Sequence, residues 1–166
     1  MRHRLFRLSI LSTLALAACA PAPIYKAAPD TIAATPVQVA STPARYANSD
    51  VIWGGRIVEV KNYPDHSEIE VLGYPLDSSQ RPKLSDNGNG RFIAVMSGYV
   101  EALNYPAGSP ITVSGKLSGS STGAVGQAPY VFPLVGVAQA HVWTADEMHS
   151  GHPNISFGVG VGVGIR

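Results

Sequence analysis

The chain has 166 residues, with 12 Lys and Arg against 11 Asp and Glu, 45% hydrophobic residues and one cysteine. This length suits one domain of ordinary size. The single cysteine excludes an internal disulfide, and the near-neutral charge gives no general attraction to nucleic acid or to an anionic membrane surface.

The first 18 residues have the layout of a cleaved secretion signal. Arg2, Arg4 and Arg7 form a positive region, and the mostly apolar stretch 8–17 follows it. This stretch is too short to span a bilayer, which takes roughly 20 apolar residues. Loss of the three arginines takes the 12 basic residues to nine against 11 acidic ones, so the formal charge of +1 becomes −2.

The leader ends in Leu16, Ala17, Ala18 and Cys19, which fits the bacterial lipobox. Small residues admit the peptidase, and the cysteine sulfur takes a diacylglyceryl group before cleavage. Two or three acyl chains give stable attachment, whereas one chain binds only marginally. The alternative is a plain secretion signal with an incidental cysteine. Because Ala20 stands where an Asp would favour inner-membrane retention, we expect a protein anchored in the outer membrane on its periplasmic face.

Residues 20–48 are rich in Pro, Ala and Thr and carry few charges. Prolines at this spacing disfavour both helix and sheet and favour extended conformations. We therefore expect residues 19–49 to form a lipidated N-terminus and a flexible linker that reaches at most roughly 90 Å. Alternatively, Ile24, Val37 and Val39 dock part of this segment onto the domain.

Short apolar runs separated by turn residues make residues 50–145 typical of an all-β domain. Five strands are predicted, at 51–60, 68–71, 91–100, 111–117 and 130–143, and residues 145–149 could form one helical turn. Gly54 and Gly55 indicate a bulge or a tight bend in the first strand. The fourth strand has Ile111, Val113 and Leu117 on one face and Thr112, Ser114 and Lys116 on the other.

A bent first strand in a set of five favours a small OB-like barrel over the alternative, an open sandwich. The remaining segment, 146–166, is a glycine-rich tail in which glycine alternates with valine from Phe157 onward. It lacks the following helix that a dinucleotide-binding loop requires. As a strand it could add to an open edge of the barrel, pair between protomers or touch the membrane; otherwise it is a frayed terminus.

The best candidate for a functional carboxylate is Asp77. Arg81 or Arg91 could pair with it, or Asp77 could cap its own turn through the amides of Ser78 or Ser79.

A metal site is not expected from the histidines. His149 and His152 have a spacing that can bind a metal on a helix. Gly151 and Pro153 disfavour a helix there, and no third ligand lies close by in the sequence. We expect no catalytic residue, no metal and no cofactor apart from a covalent lipid on Cys19.

The chain resembles the Slp family of Gram-negative outer-membrane lipoproteins from the lipobox to about Trp143. The segments that carry the resemblance are Trp53 to Ile57, Glu68 to Leu72, Tyr74 to Asp77, Arg81-Pro82, Gly90 to Phe92, Gly98-Tyr99, Asn104-Tyr105, Ile111 to Gly115, Pro129-Tyr130 and Trp143. The resemblance implies an outer-membrane lipoprotein of undefined activity, linked in some relatives to starvation or stationary phase. It brings no catalytic residue and no cofactor, and it does not extend to the glycine-rich tail.

Two functions are open at this point. The first is a non-catalytic structural or interaction role in the cell envelope, with membrane lipid and an envelope protein or glycan as partners. The alternative is an OB-type binding module for a glycan or small envelope ligand. Its candidate ligand-binding residues are Asp77, Arg91, Tyr99 and Tyr105, with Tyr63 and Tyr74 as further exposed aromatics. Nucleic acid is not expected as a partner, because charge and compartment both disfavour it, and no arrangement of residues supports an enzyme.

Overall fold

A computed structural model describes residues 22–150. The strands are β1 (Asp50–Asn62), β2 (His66–Tyr74), β3 (Arg91–Ser97), β4 (Pro110–Val125) and β5 (Ala128–Val142). The helices are α1 (Pro36–Ser41) and α2 (Ala145–His149), with short 3-10 turns at Pro43–Tyr46 and Ala102–Asn104. The predicted leader, Cys19 and the glycine–valine tail lie outside the described residues.

The five strands close into a barrel in the order β1-β2-β3-β5-β4. Neighbouring strands are antiparallel except β3 and β5, which run parallel. A closed five-stranded barrel is the architecture of the OB type. The prediction of an all-β, OB-like barrel is confirmed, and the open sandwich is excluded.

The barrel interior is filled with side chains from all five strands. In β2, period-two alternation buries the odd-numbered residues Ser67, Ile69, Val71 and Gly73, while the intervening residues face outward. The buried apolar side chains are Val51, Trp53, Ile57, Ile69, Val71, Phe92, Ala94, Ile111, Val113, Leu117 and Val135. Trp53 and Phe92 meet edge to face, with ring centroids 5.2 Å apart. The core is therefore packed solid, as expected for a barrel of this size.

The glycine pair in β1 permits a close backbone approach and does not form the predicted bulge. A Cβ atom on Gly55 would lie 2.0 Å from the carbonyl oxygen of Leu72 on β2, a distance that no side chain tolerates. The register shift between β1 and β2 falls later, between Ile57 and Glu59. The bulge is therefore not at Gly54 and Gly55, where β1 pairs with β2 on one side and with β4 on the other, which leaves no room for side chains. The alternative, a tight bend, stays a prediction.

The segment before β1 packs on the barrel. In α1, Pro36 and Val39 are buried, and Val39 is only 1% exposed. The indole nitrogen of Trp53 donates to the carbonyl oxygen of Ala34 at 2.9 Å, and Ile32 N donates to Asp50 O at 2.9 Å. The predicted flexible linker is thus corrected for residues 22–49: docking of Val39 and backbone pairing hold the segment in place, although Ile24 and Val37 stay exposed.

Candidate functional site

Asp77 organises the loop between β2 and β3. Its Oδ1 accepts hydrogen bonds from the amides of Ser79 at 2.8 Å and Arg81 at 2.9 Å, and its Oδ2 accepts one from Arg81 Nε at 2.9 Å. The Arg81 side chain is only 8% exposed and also donates to the carbonyl oxygens of Glu147 and Ser150. Asp77 therefore both caps its own turn and pairs with Arg81, and Arg81 fixes the end of α2.

The electrostatics of Asp77 match this structural task. Burial alone would raise the pKa of Asp77, but hydrogen bonds from the Arg81 amide and side chain and from the Ser79 amide outweigh it, so the pKa lies below its usual value. The carboxylate is ionised at neutral pH, and both of its oxygens accept hydrogen bonds from the loop.

A buried hydrogen-bond chain lies beside this loop. Thr112 is fully buried; its Oγ1 donates to Gln80 O at 2.7 Å and accepts from Trp143 Nε1 at 2.9 Å. The Gln80 side chain exchanges two hydrogen bonds with the backbone of Tyr25, at 2.8 and 2.9 Å. The alternation in β4 predicts that Thr112 lies on the face opposite Ile111 and Val113. The Thr112 side chain does point away from the barrel axis, but the N-terminal segment and the β2–β3 loop cover it.

The outer face of β1, β2 and β3 is charged. Glu59 pairs across strands with Glu70, and Lys61 with Glu68. Within this face Lys61 bonds Glu59 and Arg91 bonds Glu70, each at 2.5 Å. The strand 2–3 face is where OB barrels bind oligonucleotides and oligosaccharides. Here its carboxylates would repel a phosphate backbone, and Lys61 and Arg91 are already paired with carboxylates.

The four ligand-binding candidates from the sequence do not converge on one site. Asp77 is engaged by Arg81, and Arg91 by Glu70. Tyr99 and Tyr105 share the β3–β4 loop, but Tyr105 packs against the core whereas Tyr99 is exposed. Of the two further aromatics, Tyr63 stacks on His66 at 4.7 Å, and Tyr74 lines a groove on the outside of the barrel.

This groove, of about 350 Å³, lies between the docked N-terminal segment and the barrel. Its walls are the stretch 32–36, the β1 residues Ile52, Trp53 and Gly54, and the stretch 74–76 with Asn89. A mostly apolar groove of this volume suits a small ligand. Sequence patterns could not reveal it, because one wall is the segment predicted to be a linker.

Past the pairing with β1, β4 and β5 continue as a two-stranded arm (residues 118–133) that ends in a turn at Gly126. The β5 strand of the arm is still buried at Phe132 and Pro133, whereas its β4 strand is exposed before Val125. Leu117 is the last β4 residue that bonds the chain near β1, through Asn48 and Ser49. Among the described residues, 118–125 pair with β5 alone, so the other edge of β4 is open. The predicted fourth strand ends at Leu117, eight residues before the end of β4, because the apolar alternation stops there.

The arm also contains the spacing Gly-x-Ser-x-Gly, from Gly119 to Gly123. In a hydrolase that serine lies on a sharp strand-to-helix turn. Here Ser121 lies within β4, opposite Phe132 on β5. The geometry therefore does not make Ser121 a nucleophile.

Two further histidines of the described residues, His141 and His149, lie near α2. His141 pairs with Glu147 at 3.1 Å and contacts Trp143 edge-on. Residues 145–149 do form the single helical turn, whereas His152 lies outside the described residues. Within residues 22–150, His, Cys, Asp and Glu side chains do not gather into a group of three that could hold a metal ion. In the part of the chain that the structure describes, no helix has the length and apolar character needed to cross a membrane.

A closed OB-type barrel with ion pairs in its loops and strands defines a small all-β barrel domain. The chain belongs to the outer membrane lipoprotein Slp family, which matches residues 16–159. It is accordingly an outer-membrane lipoprotein of the Gram-negative type.

Two relatives come from Escherichia coli (strain K12). The uncharacterized lipoprotein YeaY is 32% identical over 107 residues, which cover 64% of this chain and 55% of the relative. The outer membrane protein Slp is 30% identical over 112 residues, which cover 68% and 59%. An uncharacterized protein of Haemophilus influenzae is 37% identical over 92 residues, which cover 55% and 50%. The chain thus matches between half and three fifths of the length of these curated relatives.

Proposed function

We propose that the protein is a non-catalytic interaction module of the cell envelope, anchored through a lipid on Cys19 and contacting its partner through the open edge of the arm. The partner is an envelope protein that supplies an extended segment. The observation that carries this proposal is the unprotected β4 edge, at residues 118–125.

The two edges of the arm differ in a way that favours strand addition on one side. An open edge exposes unpaired N–H and C=O groups, which proteins usually protect with lysine or proline. The β5 strand of the arm carries Pro129 and Pro133, which cannot donate to an added strand. The β4 strand from Ser118 to Val125 has neither proline nor charge, and its residues are exposed except for Val125, which is partly buried. An extended peptide can therefore pair with β4 through main-chain hydrogen bonds.

The non-catalytic part of the proposal is supported by the tasks of the ionic side chains. Asp77, the strongest candidate for a functional carboxylate, makes all its hydrogen bonds to the loop that it organises. A general base needs a lone pair directed at a substrate proton. Hydrolysis of an envelope substrate that is lost on Asp77→Ala, with the fold intact, would contradict this part.

The edge is tested by photo-crosslinking in intact cells. A photoreactive residue at Ser120, exposed on the arm, should give a higher-mass adduct, and one at Ser85, exposed on the β2–β3 loop, should not. A Thr122→Lys substitution adds a charge to the edge and should abolish the adduct, whereas the matched Ser85→Lys variant should retain it. The starvation link predicts more adduct in stationary-phase cells than in growing cells. Recovery of the monomer alone from Ser120 in both growth phases would refute the edge as the contact.

The groove favours one second candidate, an envelope glycan fragment or other small ligand bound against Trp53 and Tyr74. Sugars stack on aromatic side chains, and the groove offers two of them. In a Trp143→Phe variant, whose one tryptophan is Trp53, cell-wall fragments should change the fluorescence in a saturable manner. A Trp53→Phe variant, which reports from Trp143 outside the groove, is the matched control. Equal responses in the two variants would dismiss the groove.

A further inference from the structure

One end of the barrel presents the most exposed large apolar side chains of the described chain. On the β3–β4 loop (residues 98–109), Leu103 is 84% and Tyr99 is 69% exposed. Tyr63, on the neighbouring β1–β2 turn, is also exposed. Scattered surface leucines need no explanation, but a leucine and two tyrosines at one end of a small barrel form a patch that does.

The loop is held in place by polar contacts. Asn62 Nδ2 donates to Val100 O at 3.1 Å, and Ser67 Oγ donates to Gly98 O at 2.7 Å. Near its other end, Gly108 N donates to Ile57 O at 2.8 Å. Because its ends are fixed to β1 and β2, the loop presents Tyr99 and Leu103 in a set orientation.

The described N-terminal segment meets the barrel beside the start of β4, where Gln80 of the β2–β3 loop holds the backbone of Tyr25. Tyr25 is buried, and its hydroxyl donates to Thr112 O at 3.4 Å, where β4 starts after the loop. Burial first and the charge of Tyr105 second raise the pKa of Tyr25. Five residues separate Cys19 from Tyr25, so the acylated cysteine lies at most about 20 Å from Tyr25. The anchor is therefore within about 20 Å of a residue that contacts the start of β4, which directly follows the β3–β4 loop.

We propose that the β3–β4 loop is a second, non-covalent membrane contact, in which Tyr99 and Leu103 enter the interface between the headgroups and acyl chains of the bilayer that holds the anchor. This inference rests on the proposed acylation of Cys19. From Thr112, β4 runs roughly 40 Å along its length to the arm tip at Val125, so the arm points away from the membrane.

The chemistry of the loop suits this interface. Transfer of a leucine side chain out of water lowers the free energy. Tyrosine keeps its hydroxyl at the polar headgroups while its ring enters the apolar layer. The hydroxyl of Tyr99 donates to Glu101 at 3.4 Å, so this carboxylate stays beside the tyrosine hydroxyl at headgroup level. The loop lacks a cationic cluster, so apolar partitioning and not charge must drive the contact.

Quenching by lipids tests the contact in the full mature protein. Because Cys19 is the one cysteine of the chain and is acylated, Leu103→Cys supplies a single free thiol for an environment-sensitive fluorophore such as NBD. The labelled protein is reconstituted into phosphatidylethanolamine–phosphatidylglycerol vesicles that contain a spin-labelled lipid. Thr122→Cys, exposed on the arm, carries the same label as the matched control. Neither site touches the core, so both variants should fold.

We expect the probe at position 103 to be blue-shifted and quenched several-fold more strongly than the probe at position 122, and a probe at Tyr99→Cys to behave like the one at 103. Protein that floats with the vesicles but is quenched equally at 103 and 122 would overturn the membrane contact and leave the anchor standing. Protein that fails to float would overturn both the anchor and this inference. Quenching at 122 alone would show that the opposite end, the arm, faces the membrane.

Discussion

At the residue scale, a single carboxylate connects three parts of the molecule. Asp77 holds the turn of its own loop and neutralises Arg81, and Arg81 in turn binds the last carbonyl groups of α2. Removing one partner of a largely buried ion pair leaves an unpaired charge, which costs far more than the pair contributes. The role of Asp77 is therefore to hold α2 in position through Arg81.

Replacement of Asp77 by alanine should lower the free energy of unfolding by about 2–3 kcal/mol at neutral pH, because Arg81 loses its counter-ion and two amides lose an acceptor. The folded pKa of Asp77 is depressed, so its contribution is present above the unfolded value of about 4 and is lost as the pH falls through the folded pKa. Urea unfolding followed by tryptophan fluorescence at neutral and acidic pH measures both effects.

The matched control for this prediction is Asp86→Ala, which breaks an exposed pair with Lys83. Exposed ion pairs contribute at most about 1 kcal/mol, so this variant should resemble the native protein. Equal stabilities of the two variants at neutral pH would contradict the role assigned to Asp77.

At the element scale, α1 makes the N-terminal segment part of the domain. Thr35 and Gln38 form a reciprocal capping box, which fixes the first turn of the helix. Pro36 and Val39 then face the barrel, while Val37 remains 52% exposed. Helix, cap and buried valine together explain why a proline-rich stretch folds here.

Two valines two positions apart test this docking. Val39→Ala should cost about 2 kcal/mol of unfolding free energy, since it removes two methyl groups from a packed site. Val37→Ala, on the exposed face, should change stability by less than about 0.5 kcal/mol. Chemical denaturation gives both values, and limited proteolysis within residues 22–49 should accelerate only in Val39→Ala. Identical behaviour of the two variants would restore the flexible linker.

The sequence was informative where one face of a strand is buried. Alternation of apolar and polar residues located the five barrel strands, because period two follows directly from the pleat. The same rule ended β4 at Leu117, since a strand exposed on both faces has no apolar period. Periodicity also could not decide whether Val39 docks on the barrel, because one apolar residue in a short helix makes no periodic pattern. Pairs such as Asp77 with Arg81 could be proposed from proximity, but their burial depends on α2, which arrives from far along the chain.

At the scale of the whole molecule, the docked segment changes how the domain is positioned on the membrane. A free linker could have held the barrel roughly 90 Å away. With residues 22–49 on the barrel, few residues separate Cys19 from the folded domain. The protein should therefore sit directly on the bilayer and meet partners close to the membrane.

Substitution of Cys19 by alanine tests the anchor. The variant should accumulate as an uncleaved, unlipidated precursor, because lipobox processing requires acylation of that sulfur. Membrane fractionation and intact-mass measurement should show a larger polypeptide without the added acyl chains. Native size together with native outer-membrane fractionation would refute Cys19 as the site of attachment.

The strand order has a consequence for biogenesis. One edge of β3 pairs with β2, and its other edge pairs with β5 and not with β4. That second edge stays open until β5 is present. The chain is secreted N-terminus first, so the barrel cannot close before residue 142 has crossed the inner membrane. Non-local closure of this kind is slow and leaves edges open to aggregation meanwhile. The barrel therefore closes only when β5 is inserted beside β3.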